Sequence, residues 1–200
     1  MKIHGDLGSG NCLKVKYTAE HLGRPYAWVP VDIMKGESRT PKFLRLNPMG
    51  QVPVLELDDG RALAQSNAII RYLAHGSALL PADPFLQGKV DELLCWEQYS
   101  HEPYIAVCRF HMVYLGKSKE TREPQRVERG EAALDLLQKL LAGRSFFVGD
   151  SLTIADISLL AYTRLAHEGG FDLARRPAVR GWIARAEAAL GIGPADSAAA

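Results

Sequence analysis

A hydroxyl, an amide and a thiol stand close together near the start of the chain, in the segment Ser9-Gly10-Asn11-Cys12. This segment follows a short strand candidate and opens a helical pattern, so we expect it at a strand–helix junction. Backbone amides at a helix start stabilise a thiolate held against them. The Ser9 hydroxyl and the Asn11 amide could each donate a hydrogen bond to such a sulfur, which favours its ionisation. The spacing therefore predicts a site that activates a thiol.

Cys12 occupies the second position of a C-x-x-C-like pattern whose first position is Ser9. Because that first thiol is missing, a dithiol mechanism confined to this loop is excluded. We interpret Cys12 as a buried packing thiol, the alternative being a nucleophile. Ser9 itself has an alternative interpretation as a plain cap of the first helix. Cys95 and Cys108 fall in a long apolar helical pattern, which predicts that both lie in the core.

Two further segments have features that suit a peptide-like ligand. Gln51-Val52-Pro53 precedes a strand, and an X-Pro bond can be cis at modest cost, which exposes the preceding backbone to a ligand. Gln65-Ser66 opens a helix, where amides and the helix dipole attract a carboxylate. The alternative for Gln65 and Ser66 is a simple helix cap. Together these segments predict a binding site beside the thiol-activating loop.

Strand and helix patterns alternate through the first half of the chain. Their predicted order is β-α-β-α-β-β-α, over residues 2–5, 11–22, 26–31, 41–46, 52–57, 62–64 and 67–74. The Asp59-Gly60 pair between the last two strands favours a hairpin. A crossover and a hairpin in one sheet predict a mixed four-stranded sheet.

The second half carries helical patterns, at about residues 87–115, 123–141, 154–167 and 178–190. Pro103 inside the first of these predicts a kink. The fold class is therefore α+β, with a domain at 1–76, a linker at 77–85, an all-helical domain at 86–190 and a frayed tail at 191–200.

One helix start is unusually well marked. Thr153 and Asp156 have the spacing of a capping box, and Leu152 and Ile157 could close a hydrophobic staple around it. We therefore predict that Asp156 is a structural residue and not a catalytic one.

The net charge, the cysteine count and the length of the apolar runs argue against several classes of protein. With 24 Lys and Arg against 23 Asp and Glu, the formal net charge is +1, which argues against nucleic acid or an acidic membrane as the main partner. Three cysteines without metal-type spacing predict neither a disulfide framework nor a metal site, and free thiols fit a reducing compartment. The apolar runs suit neither a signal peptide nor a membrane span, so a cytoplasmic location is expected.

Four segments in this order resemble the cytosolic glutathione transferase superfamily, in particular a bacterial serine-type member. They are Ser9-Gly10-Asn11-Cys12, Asn47-Pro48-Met49-Gly50-Gln51-Val52-Pro53-Val54-Leu55, Gln65-Ser66-Asn67-Ala68-Ile69 and Val148-Gly149-Asp150-x-x-Thr153-Ile154-Ala155-Asp156. The resemblance implies a thioredoxin-like N-terminal domain that binds glutathione, followed by a helical-bundle domain.

The resemblance also assigns roles in thiol activation. Ser9 matches the serine that activates glutathione, and Asn11 matches an asparagine that assists it in some bacterial members. Gln51, Val52 and Pro53 form the segment whose backbone pairs with the cysteinyl part of glutathione, and Val52 makes that contact.

Further implied contacts lie at the two ends of the ligand. Gln65 and Ser66 hold the γ-glutamyl group, and Gln65 stands where many relatives have glutamate, which weakens the grip on the ammonium group. Lys35 or Arg39 could meet the glycine carboxylate, the alternative for a loop lysine being a solvated side chain.

The family also places a second-substrate pocket in the helical half, with Tyr104 and Arg109 as candidates, and implies a homodimer. His101 nearby is interpreted as an interfacial histidine whose hydrogen bonds are satisfied, not as a base. The expected activity is conjugation of the glutathione thiolate to a small electrophile, without a metal. Two alternatives stay open: a glutathione-dependent disulfide or peroxide reductase, and a non-enzymatic binding module.

Overall fold

The computed structural model describes residues 1–195. Its contacts divide the chain after Leu80 into two compact units, at a point inside the segment predicted as a linker. Of the tail predicted at 191–200, residues 192–195 have no regular structure and residues 196–200 lie outside the described residues.

The first unit is built on a four-stranded sheet in the order β2-β1-β3-β4. Its strands are β1 (Lys2–Gly5), β2 (Ala27–Pro30), β3 (Val54–Glu56) and β4 (Ala62–Ala64). β1 pairs in parallel with β2 and antiparallel with β3, and β3 pairs antiparallel with β4 across the predicted hairpin. The predicted mixed four-stranded sheet is therefore confirmed.

The helices of this unit are α1 (Gly10–His21), α2 (Pro41–Leu46) and α3 (Ser66–Ala74). α1 and α3 pack against each other. Apolar residues from the sheet and from both helices are completely buried; they include Ile3, Val15, Leu55, Ile69 and Ile70. The N-termini of α1 and α3 therefore lie in the same unit of the protein.

The second unit is helical. It contains α4 (Pro84–Trp96), α5 (Glu102–Arg109), α6 (Pro124–Leu140), α7 (Ile154–Thr163) and α8 (Pro177–Leu190). The thioredoxin-like unit followed by a helical unit confirms the predicted fold class.

The helix predicted over residues 87–115 is observed as helical backbone that runs without a break from Pro84 to Tyr114. Two π-helical turns, Glu97–His101 and Phe110–Tyr114, lie within it on either side of α5. Pro103 stands in the first turn of α5, where its missing N–H leaves no intrahelical bond unmade. The kink predicted at Pro103 stays a prediction.

Asp156 at the start of α7 makes the predicted capping box with Thr153. Its carboxylate accepts hydrogen bonds from the Thr153 amide at 2.9 Å, from the Phe147 amide at 3.1 Å and from the Trp182 indole N–H at 2.9 Å. The predicted structural role of Asp156 is confirmed, because one buried side chain joins the loop before α7 to α8.

The burial of the three cysteines agrees only in part with the expectation. Cys12 and Cys108 are buried as predicted, but Cys95 is exposed, so its assignment to the core was wrong. Cys95 sits on the solvent-facing side of α4, and the apolar pattern of this helix did not distinguish that side from the core side. In the described residues no helix is long and apolar enough to cross a membrane.

Candidate active site

The loop between β1 and α1 is ordered by its own backbone. The Ser9 N–H donates to the Asp6 carbonyl at 3.0 Å, and the Gly8 N–H donates to the Asp6 carboxylate at 2.8 Å. Ser9 is the N-cap residue of α1, with extended backbone at φ −85° and ψ 121°. Its carbonyl accepts from the Cys12 N–H at 3.0 Å, which begins the helix. The half-buried Ser9 hydroxyl thus stands at the N-terminus of α1, where the sequence predicted it.

Cys12 lies beneath this loop and is completely buried. Its sulfur accepts a hydrogen bond from the Asp6 N–H at 3.4 Å. Burial raises the pKa of the Cys12 thiol to about 11, although the hydrogen bonds from the Asp6 amide and the Ser9 side chain act to lower it. A thiol with this pKa is protonated at neutral pH, and the thiolate is the nucleophilic form, so Cys12 is a packing residue.

Asn11 and Ser66 are joined by a hydrogen bond although they are 55 positions apart. The Ser66 hydroxyl donates to the Asn11 side-chain oxygen at 3.0 Å. Asn11 is in the first turn of α1, whereas Ser66 is the first residue of α3 and is 5% exposed. α3 begins at Ser66, one residue before its predicted start. The side chain that contacts Asn11 therefore belongs to the first turn of α3. The structure therefore brings two predicted site residues together at adjoining helix N-termini.

The loop before β3 presents the predicted proline segment. The Val52–Pro53 peptide bond is cis, as predicted from the sequence. The ladder between β1 and β3 ends at the pair His4–Val54, so Val52 lies just beyond it. Gln51 is exposed, and its carbonyl accepts from the Asn47 side-chain amide at 2.7 Å. This places the Val52 backbone at the end of the sheet ladder, where a peptide-like ligand could pair with it.

Asn47 was not predicted as a site residue, yet it organises this loop. It is 2% exposed, and its side-chain oxygen accepts from the Met49 N–H at 3.1 Å while its backbone carbonyl accepts from the Gly50 N–H at 2.9 Å. The Asn47-Pro48 pair followed by Gly50 is a turn signal that could have indicated this role.

Arg39 crosses the same loop. Its guanidinium donates to the Met49 carbonyl at 3.0 Å and lies over Gly50, where an added Cβ would come within 2.5 Å of the Arg39 nitrogen. Gly50 also has φ +63°, a conformation that glycine adopts without steric cost. The glycine therefore makes room for a cation beside the Gln51–Val52 segment.

Lys35 has a different environment. Its ammonium group pairs with Asp32 at 2.9 Å, and its side chain is 78% exposed. The Asp32 carboxylate raises the pKa of Lys35 through a hydrogen bond and Coulomb attraction. Of the two cations considered for the glycine carboxylate, only Arg39 contacts the loop that carries Gln51.

Gln65 is strained. It has φ +69°, which no other non-glycine residue shares within residues 1–195. Its side-chain amide donates to the Met49 sulfur at 3.5 Å. A backbone conformation of this kind costs about 1–3 kcal/mol and persists where the surrounding structure enforces it, often at binding sites. The strain at Gln65, immediately before Ser66, fits a residue shaped for a ligand.

Tyr104 and Arg109 lie in the helical unit. The Arg129 guanidinium donates to the Tyr104 hydroxyl at 2.9 Å and lies 5.6 Å from the centre of its ring. Arg109 is 6% exposed and forms an ion pair with Glu168. The assignment of both residues to a second-substrate pocket stays a prediction. The ion pair with Glu168 connects Arg109 of α5 to the segment that follows α7.

His101, the other polar candidate in this unit, is completely buried, and its ring nitrogen Nε2 lies 2.9 Å from the Thr163 hydroxyl. It is therefore in contact with α7 inside the unit. Within residues 1–195 no group of three or more His, Cys, Asp or Glu side chains could hold a metal ion.

Comparison with known proteins identifies the family. The family model "Glutathione S-transferase, N-terminal domain" matches residues 8–75, and "Glutathione S-transferase, C-terminal domain" matches residues 120–185. This chain belongs to the glutathione S-transferase family. Both the loop between β1 and α1, from Gly8 onwards, and the start of α3 lie within the first matched segment.

Relatives of this glutathione S-transferase align over most of their length. The chain is 32% identical to glutathione S-transferase PM239X14 of Arabidopsis thaliana, covering 92% of this chain and 90% of the relative. Mouse glutathione S-transferase theta-1 is 31% identical, over 96% of this chain and 84% of its own. A glutathione S-transferase crystal structure from Pseudomonas fluorescens has 48% identity and a TM-score of 0.90, with coverage of 93% and 94%.

Proposed function

We propose that this glutathione S-transferase binds glutathione in its first unit and conjugates the thiolate to a small electrophile. Ser9 and Asn11 stabilise the thiolate at the N-terminus of α1, Val52 pairs with the cysteinyl backbone, and Ser66 at the start of α3 receives the γ-glutamyl group. The observation that carries the proposal is the 3.0 Å hydrogen bond that brings Asn11 and Ser66 together. Proximity and a lowered thiol pKa then both raise the reaction rate.

Conjugation requires ionisation of the glutathione thiol and then attack of its sulfur on the electrophile. Bound glutathione releases its thiol proton to solvent water because the helix dipole and nearby donors favour the anion. The sulfur then forms a bond to the electrophilic carbon, and the leaving group or the opened ring takes the displaced electron pair. Because Cys12 is buried with a pKa of about 11, the reacting sulfur is that of glutathione.

Calorimetry with glutathione, followed by parallel assays with an aryl chloride and with hydroxyethyl disulfide, tests this function. We expect binding, and conjugation of the aryl chloride at the higher rate. Dominant turnover of the disulfide would instead identify a reductase that works with two glutathione thiols. Absence of any glutathione binding would identify a non-enzymatic module.

The position of Arg39 leads to a prediction about the glycine end of glutathione. We expect Arg39→Ala to raise KM for glutathione at least about 10-fold, since a charge-assisted hydrogen bond contributes about 1.5 kcal/mol or more. Lys35→Ala, which removes an exposed pair with Asp32, is the matched control and is expected to change KM less than about 2-fold. Steady-state kinetics with varied glutathione measures both, and a larger effect at Lys35 would reverse the assignment.

We further propose that the protein is a cytoplasmic homodimer whose contact includes exposed side chains of α4 and of the π-helical turn that follows it. Phe85 in α4 and Tyr99 in the turn Glu97–His101 are 73% and 83% exposed. Exposed aromatic side chains of this kind are typical of an interface. The free thiols of Cys12 and Cys95 fit a reducing compartment.

Replacing Tyr99 with arginine in both copies is expected to weaken self-association at least about 10-fold, since a buried interface aromatic contributes about 2 kcal/mol or more. Sedimentation velocity over a concentration series gives the dissociation constant. Leu140→Arg, on α6, replaces another exposed apolar side chain and is the control expected to leave association unchanged. A Tyr99→Arg protein that sediments like the wild type would exclude this side chain from the contact.

A further inference from the structure

Met49 lies between two of the residues expected to contact glutathione. Its backbone carbonyl accepts a hydrogen bond from the Arg39 guanidinium at 3.0 Å, and its sulfur accepts one from the Gln65 side-chain amide at 3.5 Å. Its N–H donates to the Asn47 side-chain oxygen at 3.1 Å. Both backbone groups of Met49 are therefore held in place, and its side chain reaches Gln65 from a fixed point.

The Met49 side chain is open to a dissolved oxidant, because the residue is 50% exposed. Hydrogen peroxide or an alkyl hydroperoxide converts a thioether to a sulfoxide. The sulfur electron pair forms the new S–O bond and the O–O bond of the peroxide breaks. The proton on the transferred oxygen passes to the departing oxygen, which leaves as water or an alcohol. Met49 is thereby oxidised, and the peroxide is reduced.

Oxidation changes the contact with Gln65. A thioether sulfur is a weak hydrogen-bond acceptor, so the Gln65 amide gives it up for a ligand at little cost. A sulfoxide is polar, and its oxygen would enter the space between the sulfur and the Gln65 nitrogen, which are now 3.5 Å apart. The stronger acceptor then holds the Gln65 amide and displaces it from its present position.

Met34 shows that exposure alone does not provide this coupling. It is 54% exposed, and its N–H donates to the Asp32 carboxylate at 3.0 Å. Within residues 1–195 its sulfur accepts no hydrogen bond. Met34 is therefore as open to oxidation as Met49 but has no side-chain contact through which a sulfoxide would act on Gln65.

We propose that Met49 is a redox-sensitive modification site, at which oxidation to the sulfoxide by a peroxide captures the Gln65 side chain and weakens glutathione binding. This inference rests on the proposed function, because that function assigns the γ-glutamyl end of glutathione to this part of the first unit. It makes the affinity for glutathione depend on peroxide, and enzymatic reduction of the sulfoxide reverses the change.

Hydrogen peroxide treatment of the purified protein, followed by dithiothreitol to restore oxidised thiols, tests the proposal. Peptide mass spectrometry measures oxidation at each methionine, and calorimetry measures the Kd for glutathione. We expect oxidation of both Met34 and Met49, with Kd raised about 2- to 10-fold, the range that one neutral hydrogen bond contributes. Reduction by the methionine sulfoxide reductases, one for each epimer, is expected to restore the original Kd.

Two leucine variants identify the responsible methionine, each compared with its own untreated form. Met34→Leu is expected to lose affinity on oxidation as the wild type does, whereas Met49→Leu is expected to keep it. A loss of affinity that persists in Met49→Leu would overturn the proposal. So would a wild type in which Met49 is oxidised and Kd stays unchanged.

The contact itself is measured without glutathione, by nuclear magnetic resonance of isotope-labelled protein. The Gln65 side-chain amide signals, assigned by their absence in Gln65→Glu, are expected to shift on oxidation of the wild type and not of Met49→Leu. Unshifted signals beside an oxidised Met49 would refute the sulfoxide contact. An untreated wild type that binds no glutathione would instead refute the proposed function, and the amide signals distinguish the two outcomes.

Discussion

Asp156→Ala is expected to destabilise the protein by about 3–5 kcal/mol, because the substitution leaves several buried donors without an acceptor. The carboxylate accepts from the amides of Thr153 and Phe147 and from the indole of Trp182. Trp182 is completely buried, and its ring packs edge-on against the Phe147 ring at 5.0 Å between centres. These groups cannot all reach water when the acceptor is removed, so the loss exceeds that of a single cap.

Urea unfolding followed by tryptophan fluorescence and by circular dichroism measures this effect. Asp150→Ala removes an exposed carboxylate from the same loop and serves as the control, with an expected change within about 0.5 kcal/mol. Asp156→Asn keeps one acceptor oxygen and is expected to fall between the two. A loss below about 1 kcal/mol in Asp156→Ala would mean that the loop relaxes enough to find other partners.

The elements of the first unit were predictable from local pattern alone. A strand before Ser9, a helix after it and an Asp59-Gly60 hairpin are encoded within a few residues, and one crossover with one hairpin predicts a mixed sheet. The pairing of β1 with β3, which completes the strand order, was not predicted. The cis bond before Pro53 was also predictable, because it belongs to a recognisable segment. Such features depend on short-range sequence, which a single chain displays directly.

The features that escaped prediction depend on contacts distant in the sequence. Nothing in the sequence near Ser66 indicates that its hydroxyl contacts Asn11, since that contact requires α1 and α3 to pack together. The exposure of Cys95 likewise depends on which side of α4 faces the rest of its unit. Gln65 carries no sequence sign of a positive φ, because a non-glycine residue adopts it only when its surroundings enforce it.

The π-helical turns belong to the same class. A 3.6-residue pattern predicts a regular helix through residues 97–101 and 110–114, where the structure has π-helical turns within a continuous helical backbone. Periodicity therefore predicted the helix but not these turns.

Ser9→Ala is expected to reduce kcat/KM for conjugation about 10- to 100-fold at neutral pH, if Ser9 donates to the glutathione thiolate as proposed. A hydrogen bond to a charged group contributes about 1.5–3 kcal/mol, which corresponds to a rise of about one to two units in the pKa of the bound thiol. Since only the thiolate reacts, the loss is largest below the wild-type pKa and shrinks as the pH rises above the pKa of the variant. A pH profile of kcat/KM, read with the thiolate absorbance, measures both effects.

Ser9 also acts on Cys12, because a hydrogen bond from its side chain lowers the pKa of the Cys12 thiol. Cys12→Ser removes that sulfur but keeps a small polar side chain, and it is expected to retain conjugation, since a buried thiol with a pKa near 11 supplies no nucleophile at neutral pH. Asn11→Ala separates the two proposed donors. If its bound-thiol pKa rises while that of Ser9→Ala stays at the wild-type value, Asn11 is the activating residue and the Ser9 side chain serves only its contact with Cys12.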